Sequence, residues 1–219
     1  MAADILWQPP LTGESALERF ADWLVEQGCI DQTDYDTIWR WSVAKPAEFW
    51  GTWFQYLAVP FDGTAQPVLV EPKMPGARWF ENVRLNYAEA MLQLPGRAAD
   101  DVVVISRSQS RPEVRLTAVE IREQVARARA GLVRAGVEQG DRVVAYSPNI
   151  PETLILLLAA ASLGAIFSSC APEFGTQSVI DRWSQIEPKV LLAVDGYQYG
   201  SKAIDRTAEV AAIRAALPT

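Results

Sequence analysis

The chain has 219 residues, of which 49% are hydrophobic and 21% charged, the composition of a soluble globular protein with one large or two small domains and not of a disordered chain. A net charge of −7 argues against a nucleic-acid partner, because phosphate contacts need a basic face. There is no histidine, which removes Ser-His and Cys-His nucleophiles and His-ligated metals from these residues and leaves carboxylates, Lys, Tyr, backbone amides or a bound cofactor to carry any chemistry.

The first ten residues, MAADILWQPP, lack a basic segment followed by an apolar one, so no secretory signal is expected. The front of the chain is acidic and rich in tryptophan. Residues 1–100 hold 7 Lys+Arg against 14 Asp+Glu, and seven of the eight tryptophans precede residue 80. Residues 14–57 read as helical. One helix places Leu17, Phe20, Trp23 or Ala21, and Leu24 on one face and stops at Gly28. A later one starts near Pro46 and carries Phe49, Trp50, Trp53, Phe54 and Leu57 at helical spacing. So many aromatics need a partner surface, and the segment reads as a cap over something larger. Prolines and glycines from Pro60 to Gly76 mark loops and short strands. NVRLNYAEAMLQL then forms a helix with Leu85, Ala88 or Tyr87, and Leu92 facing inward. The PGRAADD stretch that follows sets the expected main boundary, with domains at 1–97 and 98–219.

From Val102 a regular alternation begins. A strand VVVI and a hairpin lead-in RPEVRL precede a helix opened by the capping box Thr117–Glu120, with Ile121, Val125, Ala128 and Leu132 inward and Gly136 as its stop. DRVVAYSP is a strand, Pro151 opens a helix to Leu163, and AIF starts a further strand. Residues 177–186 are helix, 190–194 strand and 207–217 helix. The longest apolar run, Leu154–Phe167, is interrupted by Ser162 and Gly164 and is too short to span a bilayer. Cys29 and Cys170 stand far apart with no CxxC, and read as reduced, buried thiols of a cytoplasmic protein.

Short β-branched strands alternating with helices predict an α/β fold, a helical Trp-rich N-terminal cap followed by an incomplete, mostly parallel, doubly wound sheet. Ligands of such sheets bind beyond the strand C-termini. The loops expected at that edge are Ser147–Pro151, Ser168–Gly175 and Asp195–Lys202. No dinucleotide or P-loop glycine fingerprint occurs. The acidic pairs Asp34/Asp36 and Asp100/Asp101 read as solvated loop residues, and no metal site is expected.

Three stretches carry a resemblance: PGARWFENVRLNYAEAML (75–92), GVEQGDRVVAYSPNIPETLILLLAAASLGAIFSSCAPEFG (136–175) and VLLAVDGYQYGSK (190–202). Together with the Trp-rich segment 46–59 they resemble the acetoacetyl-CoA synthetase family, within the AMP-forming acyl-CoA synthetases of the adenylate-forming superfamily. The resemblance runs from about residue 35 onward. It implies an acid–thiol ligase that uses Mg-ATP, acetoacetate and CoA. It also implies that only the N-terminal part of such an enzyme is present, since nothing of the form TSGTTGxPK occurs in residues 1–219 and the lysine-bearing domain of the family lies later. The isolated chain is therefore expected to be inactive, with no catalytic residue and no ATP site of its own, and its open sheet edge is expected to favour self-association. A non-catalytic binding module derived from the same fold is the alternative. In the family, basic side chains of the loop after the fourth strand reach the CoA 3′-phosphate. The matching residues here are Tyr197, Gln198, Gly200 and Lys202, with Gln198 and Ser201 where relatives carry arginine, and with Tyr197 or Tyr199 available to stack on adenine.

Overall fold

The computed structural model describes residues 15–217, so the N-terminal stretch MAADILWQPP lies outside the described residues. The chain divides into two compact units between Arg84 and Leu85, ahead of the break expected from PGRAADD.

The described part of the first unit begins with three helices, α1 (Ala16–Glu26), α2 (Tyr35–Ala44) and α3 (Pro46–Leu57). Ser15 and Glu18 form a reciprocal capping box on α1, and Asp34 caps α2 through the Thr37 amide and hydroxyl. Asp34 is thus a helix cap and not merely a solvated loop residue. Phe20, Ala21, Leu24, Ile38 and Trp41 are buried together, with Trp53 edge-on to Phe20 at 4.5 Å between ring centroids. Leu17 and Leu57, expected inward, are exposed, and α3 has no fully buried residue. Two small antiparallel ribbons complete the unit: β1 (Asp62–Gly63) pairs with β4 (Val83–Arg84), and β2 (Leu69–Glu71) with β3 (Arg78–Trp79).

The second unit opens with α4 (Tyr87–Gln93), the ribbon β5 (Val102–Ser106) and β6 (Val114–Thr117), and α5 (Ala118–Arg134). Asn86 explains why α4 belongs here. Its side-chain oxygen caps the helix, while its amide nitrogen donates to the Ala161 carbonyl at 2.9 Å, and Ala88 is buried in the same cluster as Ile121 and Val125. Leu85 and Tyr87 turn outward, so Ala88 is the inward residue. The capping box Thr117–Glu120 forms as expected.

The unit then runs β7 (Arg142–Tyr146), α6 (Pro151–Ser162), β8 (Ile166–Cys170), α7 (Thr176–Trp183), β9 (Val190–Ala193), the ribbon β10 (Gly196–Tyr199) and β11 (Lys202–Asp205), and α8 (Thr207–Ala216). The parallel part of the sheet is three strands in the order β8-β7-β9, and the other ribbons are antiparallel pairs. β7 is central, and Val143, Val144, Ala145 and Tyr146 are all fully buried. Their alternation puts Val143 in one cluster with Ile121, Leu132 and Leu158, and Val144 and Tyr146 in another with Val179, Trp183 and Ile213. Helices α5 and α6 therefore cover one face and α7 and α8 the other, which is why β7 reads as an unbroken apolar run. From β7 the chain steps outward to β8 through α6, then crosses back to the other side of β7 to form β9. The sheet order reverses between β7 and β9, and such a point opens a crevice at the strand C-termini.

Candidate functional site

A cleft of about 1050 Å³ lies at that reversal. Its floor is the residues that follow β7 and β9, Pro148 to Ile150 and Val194 to Gly196. One wall is the β5–β6 turn with Arg107 and Arg111, the other is the β10 strand with Tyr197 to Tyr199, and Pro172 and Glu173 border it from the loop after β8. All three loops expected at the sheet edge thus contribute.

Each wall is held by identifiable bonds. Buried Tyr146 shares its hydroxyl proton between the carbonyls of Pro172 and Phe174, at 2.6 and 2.8 Å, and so ties the loop after β8 to the central strand. Burial pushes the Tyr146 phenol above its ordinary value. Phe174 itself is exposed, with the Arg182 guanidinium 5.7 Å from its ring. On the floor, the hydroxyls of Ser147 and Thr153 lie 2.9 Å apart and Thr153 donates to the Pro148 carbonyl, fixing the turn into α6. The β5–β6 turn is braced by Arg111, which makes a two-pronged ion pair with Glu152 at 2.7 and 3.1 Å and holds that carboxyl below its ordinary value. Arg107 and Arg115 each donate to a different oxygen of Glu113 and depress it likewise, the Arg107 hydrogen bond first.

The stretch GYQYGSK is not the loop expected but a hairpin. Gly196 pairs with Asp205 and Tyr199 with Lys202 across the two-residue turn Gly200–Ser201, in which Gly200 has φ +57°. Gly196 is required by close approach, since a Cβ there would stand 2.4 Å from the Ile204 carbonyl oxygen. A Gly-Ser dipeptide between two four-residue runs is itself a hairpin signal, and that signal was available in the sequence. Tyr197 and Gln198 line the cleft, as does Tyr199. Gly200 and Lys202 lie at and beyond the turn, outside the lining, and Lys202 is exposed. The Gln198 side-chain amide donates to the Gly200 carbonyl at 3.1 Å, so part of its bonding serves the turn.

Sequence reasoning missed two arginines of the cleft and a third beside its hairpin wall. Arg107 and Arg111 arrive from a hairpin far from the β7–β9 loops in the chain, and Arg206, just after the second hairpin, packs its guanidinium 5.5 Å from the Tyr197 ring centroid. No periodicity or motif marks the first two. Among the described residues no group of three or more Cys, Asp and Glu could hold a metal ion, and no helix is long and apolar enough to cross a membrane.

The family model described as AMP-binding enzyme matches residues 93–219, and that described as acetyl-coenzyme A synthetase N-terminus matches 35–91. Among curated proteins, the acetoacetyl-coenzyme A synthetase of Rhizobium meliloti (strain 1021) is 37% identical over 214 residues, covering 97% of this chain and 32% of its own length. The acetoacetyl-CoA synthetase of Rattus norvegicus is 33% identical over 205 residues, covering 92% and 30%. The solved structure of acetoacetyl-CoA synthetase from Streptomyces lividans superimposes with a TM-score of 0.92 and 40% identity, over 99% of this chain and 34% of that one. The chain thus spans about a third of the length of the relatives it matches. With a doubly wound α/β unit that the family model covers from end to end of its sheet, the chain belongs to the AMP-binding enzyme family.

Proposed function

We propose that this chain forms the cap and the first βα units of an acetoacetate–CoA ligase, and that its cleft receives the nucleotide end of CoA. The observation that carries the reading is the coincidence of two things: similarity along nearly the whole chain to proteins named acetoacetyl-CoA synthetase, and a cleft at the sheet reversal walled by an aromatic hairpin. The whole reaction converts ATP, acetoacetate and CoA to AMP, pyrophosphate and acetoacetyl-CoA. A carboxylate oxygen of acetoacetate attacks the α-phosphorus of Mg-ATP and expels pyrophosphate, after which the CoA thiol displaces AMP. The 219 residues are assigned a binding part in this and no catalytic group. Tyr197 and Tyr199 offer π-faces to adenine. Lys202 offers the hairpin's exposed positive charge to the 3′-phosphate, with the Gln198 amide and the Gly200 turn shaping the approach. Two unpaired cysteines, Cys29 and Cys170, suit a reducing compartment, and we assign the protein to the cytoplasm.

Titration of the chain with CoA, followed at the amides of residues 196–202 by NMR, tests the reading. An exposed lysine on a phosphate is a weak, salt-screened contact. Lys202→Ala should therefore weaken CoA binding severalfold at low salt and barely alter it at high salt. Dephospho-CoA should bind the wild-type chain about as Lys202→Ala binds CoA. CoA-induced shifts that spare residues 196–202 would overturn the assignment.

A further inference from the structure

We infer that Arg206 is a positioning residue of the cleft, holding the Tyr197 ring in the orientation on which a base stacks. The inference rests on the reading that the cleft takes the adenine of CoA. Among the described residues the ribbon β10–β11 pairs only with itself, and a lone two-stranded hairpin is marginal in water. The orientation of Tyr197 must then be supplied from outside the ribbon.

Arg206 supplies it by contacts to three residues. Its guanidinium lies against the Tyr197 ring, and Nη2 donates to the phenol oxygen at 3.4 Å. Nη1 donates to Glu209 Oε1 at 2.7 Å, and the backbone N–H donates to the Asp195 carbonyl at 2.7 Å, closing the root of the hairpin. Glu209 stands in the first turn of α8, and α8 is anchored through Ile213 in the cluster that contains Tyr146 and Trp183. A line of contacts runs from the buried sheet face through α8 and Arg206 to the cleft wall. The Arg206–Glu209 pair is the least exposed ion pair among the described residues, 20% and 31% by side chain, so solvent screens it least. Arg206 Nε is buried with no hydrogen-bond partner among the described residues. A guanidinium placed only for its charge would turn that donor to water, whereas one gripped between a ring and a carboxylate forgoes it. With the guanidinium against one part of its surface, the ring can meet a ligand only with the remainder.

Arg206→Gln tests this in the 219-residue chain. The variant should weaken CoA and dephospho-CoA by the same factor, up to about tenfold, because it disturbs stacking and not phosphate contact. That pattern differs from Lys202→Ala, which abolishes the difference between the two ligands. In a Tyr197→Leu background Arg206→Gln should add nothing. Without ligand, amide hydrogen exchange in Arg206→Gln should quicken at residues 196–199 and stay unchanged at Val143 and Val144. An unchanged CoA affinity, a loss confined to CoA, or additivity with Tyr197→Leu overturns the inference. If Arg206→Gln also loosens Val143 and Val144, Glu209→Gln takes its place, with the same pattern at smaller amplitude expected and the same results overturning it. A wild-type chain with no CoA-induced shift refutes the cleft reading alone, and hydrogen exchange at 196–199 then decides the part of Arg206.

Discussion

In the first unit Phe20, Trp23, Trp53 and Tyr56 meet ring against ring, Trp41 and Phe49 do the same, and α3 buries none of its residues fully. In the second unit four consecutive residues of β7 are sealed from solvent by small and branched side chains on one face and by Trp183 and Ile213 on the other. The contrast follows from geometry. A large ring on a short helix can be covered along one edge while the other stays wet, whereas a central parallel strand is covered on both faces or not at all. An equal count of apolar residues therefore means different things in the two regions, and the same substitution should cost different amounts.

The largest expected effect is the pair Trp183→Ala and Trp50→Ala. Trp183 is fully buried and its indole nitrogen donates to Ser168 Oγ at 3.2 Å, so truncation should cost about 3–5 kcal/mol. Trp50 is 46% exposed and touches Phe49 and Trp79 edge-on, so its truncation should cost about 1 kcal/mol. Hydrogen exchange of core amides, at Val143–Ala145 for the first and at Ala21 and Leu24 for the second, measures each unit separately. Comparable losses would break the contrast.

Tyr146→Phe sharpens it at a single oxygen. The ring stays packed, but two carbonyls of the loop after β8 lose their donor, which should cost about 1–3 kcal/mol. The loss should appear as faster exchange and greater mobility at residues 171–174, while the β7 amides are less affected. A variant with an unchanged loop would mean that water replaces the phenol there without cost.

The smallest effect concerns acid. Asp141 accepts from Lys189 Nζ at 2.7 Å and from the Glu138 amide at 2.7 Å, and chiefly the lysine bond holds its carboxyl below the ordinary value. A depressed carboxylate stabilises the fold above its unfolded pKa, roughly 3.9, and that contribution disappears as pH falls through the lower folded value. Asp141→Asn should therefore be less stable than wild type at neutral pH, with the gap closing below about pH 4. Asp34→Asn in the first unit is the control. Its carboxyl is depressed too, by Thr37, but asparagine caps a helix nearly as well, so its gap from wild type at neutral pH should be smaller than that of Asp141→Asn and should likewise close in acid. Acid profiles of the two variants that coincide would show that the Lys189 pair contributes nothing beyond a cap.

Much of the second unit is legible in the chain itself. The capping box at Thr117, the stops at Gly136 and Gly164 and the run of β7 are local signals, each decided by residues within a few positions, and they place α5, α6, β7 and β8 close to where they lie. Orientation is less legible. Leu17, Leu57 and Leu85 suit a buried face by spacing, yet are exposed, because spacing identifies a stripe but not which part of it meets another element. At the candidate site, Tyr197 and Gln198 stand out in the chain, whereas Arg206, the partner of Tyr197, does not, although it lies only nine residues beyond it.

By itself the sequence determined the order of the main helices and strands, the doubly wound character of the back half and the family, because these depend on short-range periodicity, caps and contiguous motifs. Only the tertiary structure decided that the β7–β9 reversal opens a cleft, that the GYQYGSK hairpin stands at its wall, and that Arg107 and Arg111 line it while Arg206 packs against Tyr197. A site of that kind is assembled from strand ends brought together by sheet pairing, as when Tyr146 meets Ala193 across β7 and β9, and one-dimensional spacing carries no record of which strands will lie side by side.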